Sequence, residues 1–174
     1  MQRNEYVCQL RNERYADPMP WPAGVLVCAL ASVSQEALAH LMLDAYRGTV
    51  DDGGETLADA QHEVAHFWAG TGEIVPWPEY SWGLRDAHEV LVAACMVGMW
   101  QSRQVPLIAY VLTHPEWQGQ GLATALLRRV LHQFEQHQQL PVYAVVTAGN
   151  RPSEALMARV GFVRLYRGNG ESVV

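Results

Sequence analysis

Hydrophobic residues fall into two periods along this chain, and each change of period marks an element. Continuous apolar runs at Val25 to Ala31, Glu89 to Trp100 (EVLVAACMVGMW), Val105 to Thr113 and Leu140 to Thr147 predict strands. The second run has so few polar positions that it reads as a central strand buried on both faces. Gln101 to Gln104 is its hairpin connection to the third run. Three- and four-residue spacing predicts three helices between these runs. Ala37, Leu38, Leu41, Met42 and Ala45 form the first apolar stripe, with Ser32 or Ser34 as the cap and an end near Tyr46. Leu57, Ala60, Val64, Phe67 and Trp68 form the second, capped by Thr56. Leu122, Ala125, Leu126, Val130 and Phe134 form the third and longest.

The remaining segments carry weaker patterns. Tyr6 to Leu10 can form a strand, but the prolines of Asp17-Pro18-Met19-Pro20-Trp21-Pro22 remove every second backbone donor. Residues 1–24 therefore read as an N-terminal extension or edge element. Gly70 to Pro78 is turn-rich, and Trp77, Tyr80 and Trp82 behind it are candidates for a pocket wall or for packing against the sheet. After Phe162 only Val163 to Tyr166 reads as extended, and Gly168-Asn169-Gly170 with Val173-Val174 leaves little room for another strand. With 174 residues and 49% hydrophobic content, the chain is expected to form a single domain over 1–174.

Charge narrows the function classes. A formal net charge of -6 and no block of Lys or Arg argue against nucleic acid and favour a cationic or small neutral substrate. Cys8, Cys28 and Cys95 form no C-x-x-C pair and read as free, mostly buried thiols of a reducing compartment. The N-terminus is largely polar, and the longest apolar run, Val90 to Trp100, is too short to span a bilayer. The expected location is cytoplasmic, with no membrane partner.

Two stretches carry candidate chemistry. Between the third strand and the longest helix, Pro115 turns the chain and Gln118-Gly119-Gln120-Gly121-Leu122-Ala123 strips side-chain bulk from the helix mouth. The first-turn N–H groups there have no intrahelical partner. An anion gains roughly 1.5 to 3 kcal/mol from each hydrogen bond it accepts, besides the helix dipole, so the stretch reads as a diphosphate cradle. The other stretch, His62-Glu63-Val64-Ala65-His66, matches H-E-x-x-H, the zinc-hydrolase pattern. Its histidines fall opposite Val64, away from the apolar stripe. The extended pattern also fails at Ala69, so a zinc hydrolase is a remote alternative. In the loop before this helix, Asp51, Asp52 and Glu55 surround Gly53 and Gly54, either as a solvated turn or as carboxylates that attract an amine.

Thr113 to Ala123 resembles the acetyl-CoA signature of the GNAT superfamily of N-acetyltransferases, Arg/Gln-x-x-Gly-x-Gly/Ala, at Gln118, Gly121 and Ala123. Asn150 to Phe162 (NRPSEALMARVGF) resembles a later motif in which Asn opens a short helix ending in Gly-Phe. The resemblance runs from Glu89 to Phe162. It implies an α/β fold with a mixed central sheet, helices on both faces, and splayed parallel strands flanking the acetyl-CoA helix. It further implies acetyl-CoA as co-substrate, contacted by Leu112 and Thr113, by Gln118, Gly119, Gln120, Gly121, Leu122, Ala123 and Thr124 at the cradle, and by Asn150.

The activity it implies is acetyl transfer to an amine of a small molecule or peptide by direct attack, with a homodimer left open. The amine must be neutral to attack. At pH 7 deprotonation costs about 4.6 kcal/mol for a lysine-like amine and about 1 kcal/mol for an α-amine. Because Val105 to Thr113 carries no Asp, Glu or His, a base must come from elsewhere: Glu89, His88, Glu79, Asp52 or His114. Met157 stands where the superfamily frequently has a Tyr that protonates the leaving thiolate, and a thioether cannot donate. Either Tyr110 or a water takes over, or the chain is an acyl-CoA binder with little transferase activity.

Overall fold

The structure, a computed structural model, describes residues 2–10, 21–137 and 140–166. Its elements are β1 (Arg3–Cys8), β2 (Leu26–Ala29), α1 (Gln35–Tyr46), α2 (Leu57–Ala69), β3 (Ile74–Pro76), β4 (Trp82–Arg85), β5 (Leu91–Trp100), β6 (Val105–Thr113), α3 (Leu122–His137), β7 (Val142–Thr147), α4 (Arg151–Arg159) and β8 (Val163–Leu165). The strands form one sheet in the order β2-β4-β5-β6-β7-β1-β8, with β3 pairing the far end of β5. All pairs are antiparallel except β6 with β7. This is the mixed α/β sheet that the sequence predicts.

Period-2 alternation along β5 splits the core into two layers. Ala93, Cys95 and Val97 join the cluster under α3, with Leu126, Val130 and Phe134. Ala94 and Met96 join the cluster under α1 and α2, with Leu38, Met42 and Val64. Helices thus cover both faces, as a strand buried from Leu91 to Gly98 requires. Ser34 caps α1 by accepting from Ala37 N–H at 3.1 Å. Thr56 and Asp59 close a reciprocal capping box at the start of α2.

Three expectations need correction, and the alternative left open for Trp77 and Tyr80 falls to packing. Residues 3–8 are no edge element: β1 lies between β7 and β8, antiparallel to both, and carries the buried Tyr6, Val7 and Cys8. Interior burial selects this Tyr-Val-Cys run, while the prolines that suggested an edge come later in the chain. Glu89 does not begin the central strand but sits in the turn before it, at φ 64°. The turn-rich stretch and its neighbour hold the short strands β3 and β4, whose three and four residues are too few to show a period. Trp77 and Tyr80 pack on Phe134 of α3, with ring centroids 5.8 and 4.2 Å away, so they belong to the core and not to a pocket wall. The readings of Asp17 to Pro20 and of residues 168–174 lie outside the described residues.

Candidate active site

The parallel pair β6 and β7 is in register only at Leu107–Tyr143 and Ile108–Ala144, although both strands run on to Thr113 and Thr147. Beyond Ile108 they diverge. At the same point β6 carries a bulge: Met96 faces Tyr110 and Val97 faces Ile108, which leaves Ala109 unpaired. A one-residue insertion reverses which face every later side chain occupies. It therefore turns Tyr110 toward α2, where the ring meets Phe67 edge-on at 5.9 Å and the hydroxyl donates to the Glu63 carboxylate.

Three cavities follow the divergence. The first, of about 630 Å³, lies over the mouth of α3 and is lined by Thr113, Trp117, Gln118, Gly119, Gly121, Leu122, Ala123, Thr124, Asn150 and Arg159 among others. Eight of the ten residues expected to contact acetyl-CoA are in that group. Leu112 is fully buried in the core on the α1–α2 side, while Gln120 is exposed and folds back to donate to the Glu116 carbonyl at 3.2 Å.

The loop that forms the cradle is pinned at both ends. His114 N–H donates to the Val92 carbonyl at 2.9 Å, and the Gln118 side-chain amide donates to the Thr113 carbonyl at 3.3 Å. The Gln118 N–H is engaged by the Pro115 carbonyl at 3.3 Å, so the open donors begin after it. Ala125 N–H to the Gly121 carbonyl, at 2.9 Å, is the first helical bond of α3. The preceding N–H groups of the first turn thus have no intrahelical acceptor. Gly119 and Gly121 adopt φ 76° and 83°, and a Cβ on either would meet nothing within 4 Å. The space above these amides is free, and a side chain there would enter it. The cradle fits a diphosphate, with Arg159 as a nearby cation that the motif reading missed.

The second cavity, of about 1000 Å³, lies on the α1–α2 side. Its wall is acidic. Glu5, Asp51, Asp52, Glu55, Asp59, Glu63 and Glu73 line it against two cations, Arg3 and Arg47. Most of these carboxylates are tied into the scaffold: Glu5 by Arg103 at 2.8 and 3.0 Å, Asp52 by Gly48 and Gly54 N–H at 2.6 and 3.0 Å, and Glu73 by Ser102 N–H at 3.0 Å. The guanidinium of Arg103 offsets the Glu5 charge, while the backbone N–H bonds order Asp52 and Glu73 and leave their charges in place.

A third cavity of about 130 Å³, a passage flanked by diverging β6 and β7, shares lining residues with each of the other two. Tyr46 and Asp51 line all three spaces. Asn150 caps α4 by accepting from Ser153 N–H at 3.1 Å, and its side-chain amide donates to Asp51 at 2.7 Å. That bond ties the loop after α1 to the cofactor side. Met157 is buried beside the passage, 4% exposed. Burial raises the Tyr46 hydroxyl well above its usual value, helped by the charges of Asp51 and Glu63. Burial also raises that of Tyr110, with its bond to Glu63 next. Both phenols stay protonated near neutrality.

Of the candidate bases, Asp52 lines the second cavity, while Glu79, His88, Glu89 and His114 line none of the three. Glu89 is ion-paired with Arg85 at 3.0 Å and lines none of the three cavities. His114 accepts from Glu116 N–H at 3.3 Å, capping the turn after β6, and its other nitrogen is 4.0 Å from Asp44. His62 and His66 stack with ring centroids 6.4 Å apart. Among the described residues no group of three His, Cys, Asp or Glu side chains is placed to hold a metal ion. Burial raises the Cys28 thiol, and raises that of Cys95 to about 12, so neither is a ready nucleophile.

Residues 35–162 match the family model described as the GNAT family of acetyltransferases. The chain belongs to that family. No curated protein sequence matches it. Solved structures show the same fold at low identity. A GCN5-related N-acetyltransferase from Sphaerobacter thermophilus aligns at TM-score 0.67 and 16% identity, over 94% of this chain and 49% of that one. This chain thus spans about half the length of that relative. The ribosomal-protein-S18-alanine N-acetyltransferase of Escherichia coli aligns at 0.57 and 17%, over 79% and 76%. A NatC complex bound to Gag peptide and CoA aligns at 0.59 and 13%, over 82% and 86%. Among the described residues of this GNAT chain, no helix is long and apolar enough to cross a membrane.

Proposed function

We propose that this chain binds acetyl-CoA over the mouth of α3 and transfers its acetyl group to the amine of a cationic small molecule or peptide by direct attack. One observation carries the reading. An anion cradle and an acid-lined cavity open onto a single passage at the divergence of β6 and β7. The unbonded N–H groups from Gly121 to Thr124 would hold the diphosphate, each for roughly 1.5 to 3 kcal/mol. The thioester bound there supplies an activated acyl carbon. The β6 main chain at Val111 and Thr113 borders the same space and would align the pantetheine arm.

On the other side, the carboxylates favour an amine that arrives protonated, since opposite charges attract across the cavity. The amine must then lose a proton. Glu63 is the acceptor we assign, with Tyr110 as the hydroxyl that fixes it. General base catalysis of this kind is typically worth about 10² to 10⁴ in rate. The structural neighbours that act on the alanine of a ribosomal protein and bind a Gag peptide support a peptide N-terminus as one acceptor class. An α-amine needs only about 1 kcal/mol to become neutral at pH 7.

The test pairs two measurements: calorimetric binding of acetyl-CoA, and thiol release from acetyl-CoA across a panel of diamines, small amines and peptides. Micromolar binding with thiol release for a cationic acceptor is the expected result. Tight binding without thiol release for any acceptor would leave the chain an acyl-CoA binder, and no binding at all would remove the cradle.

A further inference from the structure

When an amine attacks a thioester in this site, the C–S bond breaks and sulfur takes the electron pair. The new negative charge forms at the passage, where a donor already fixed by the fold needs no reorganisation to meet it. The residues shared by the cradle and the passage are Tyr46, Asp51, Val111, Asn150, Ser153 and Leu156. Val111 and Leu156 have no donor, and Asp51 as a carboxylate only accepts. Asn150 spends one of its two amide N–H groups on Asp51 at 2.7 Å, which leaves one. Met157, buried beside them, offers only a thioether. The donors that remain are that amide N–H and the hydroxyls of Tyr46 and Ser153, and of these residues only Tyr46 also borders the acceptor cavity.

We propose that the Tyr46 hydroxyl, carried on the last residue of α1, donates the hydrogen bond that stabilises the departing sulfur. The assignment rests on the acetyl-transfer reading. The proton balance does not pass through Tyr46: the ammonium gives one proton to Glu63 and on to solvent before attack, the nitrogen loses its second by the same route once the C–N bond has formed, and the thiolate leaves as the anion and is protonated in water. A phenol whose burial holds it protonated fits this role, because it donates without surrendering its proton. The main-chain carbonyl of Tyr46 accepts from Thr49, so the end of α1 does not depend on the hydroxyl.

The binding half of the test needs no acceptor. Binding of coenzyme A and of desulfo-coenzyme A is measured by calorimetry near pH 9, above the ordinary thiol value of about 8.5. Tyr46→Phe should weaken coenzyme A by about tenfold or more and leave desulfo-coenzyme A within about twofold. Ser153→Ala should change neither. In Tyr46→Phe, kcat should fall about a hundredfold, with partial recovery in Tyr46→Phe/Met157→Tyr, which returns a hydroxyl to the passage from α4. Equal binding of both ligands by wild type and Tyr46→Phe, or loss of the sulfur preference in Ser153→Ala instead, would overturn the assignment. If wild type binds neither ligand, the proposed function fails, an outcome separate from both.

Discussion

The two sides of the passage are built from different material. The cofactor side is mainly backbone: glycines at positive φ, an uncapped helix mouth, and one end of a splayed strand. The acceptor side is mainly side chain, with carboxylates from β1, the loop after α1, α2 and the segment before β3. Backbone amides at a helix start recognise a phosphate whatever residues surround them, so long as bulk is kept away. A carboxylate wall recognises whatever charge and length its particular side chains admit. On the proposed function, one side is therefore generic to the chemistry, and the other is where the specificity of this chain would reside.

Substitutions on either side should separate binding from turnover. The largest effect is expected at the cradle: Gly121→Glu should weaken acetyl-CoA by about a thousandfold or more, read by calorimetry. Its Cβ has open space, but φ 83° strains any side chain there by about 1 to 2 kcal/mol, so a modest drop in melting temperature with a cooperative transition should accompany the loss. Unchanged affinity would break the distinction. On the acceptor side, Glu63→Gln should lower kcat about a hundredfold while leaving the Kd for acetyl-CoA in place. A parallel loss of cofactor affinity would show that the two sides are not separable. Replacing a cationic acceptor with one of equal length and an uncharged tail should raise KM about tenfold at low salt, with the gap narrowing as salt screens the wall.

Asn150 belongs to both sides, capping α4 while holding Asp51. Asn150→Ala should cost about 1 kcal/mol of stability in urea unfolding, the usual penalty for losing such a cap. The smallest effect concerns acid. The carboxyls of Asp52, Asp59 and Glu73 are held below their usual values by hydrogen bonds: from Gly48 and Gly54 N–H, from the Thr56 hydroxyl and N–H, and from Ser102. Depressed folded values stabilise fully above the ordinary carboxylate range near pH 4, and that contribution is lost as pH falls through the folded values. Urea midpoints should hold above about pH 5 and drop below it. In Asp52→Asn part of that drop should disappear, because the residue no longer titrates.

The same contrast explains what could be read before the fold was known. The cradle is legible because its residues are contiguous: Pro115, the two glycines and the α3 stripe carry strand, turn and helix in one stretch. The acceptor wall is not. Glu63 sits five residues before Trp68, the end of the apolar stripe, inside a pattern that points to zinc chemistry, and nothing local says that Tyr110 will reach it. The contact depends on the bulge at Ala109, a register fault between two strands that no periodicity records. Arg3 and Glu5 reach the wall because β1 inserts between β7 and β8, and its pairing with β7 joins residues about 140 apart in the chain. Asn150 was legible as the start of α4, but its hold on Asp51 was not, since the two meet only through the folded loop after α1.

The most direct measurement is a crystal structure of this chain with coenzyme A bound. The diphosphate should accept from the main-chain N–H groups at the start of α3, with the pantetheine arm between β6 and β7 and the sulfur within hydrogen-bond reach of the Tyr46 hydroxyl. Phosphates seated away from Gly119 to Thr124, or a sulfur directed out of the passage, would contradict the site described above.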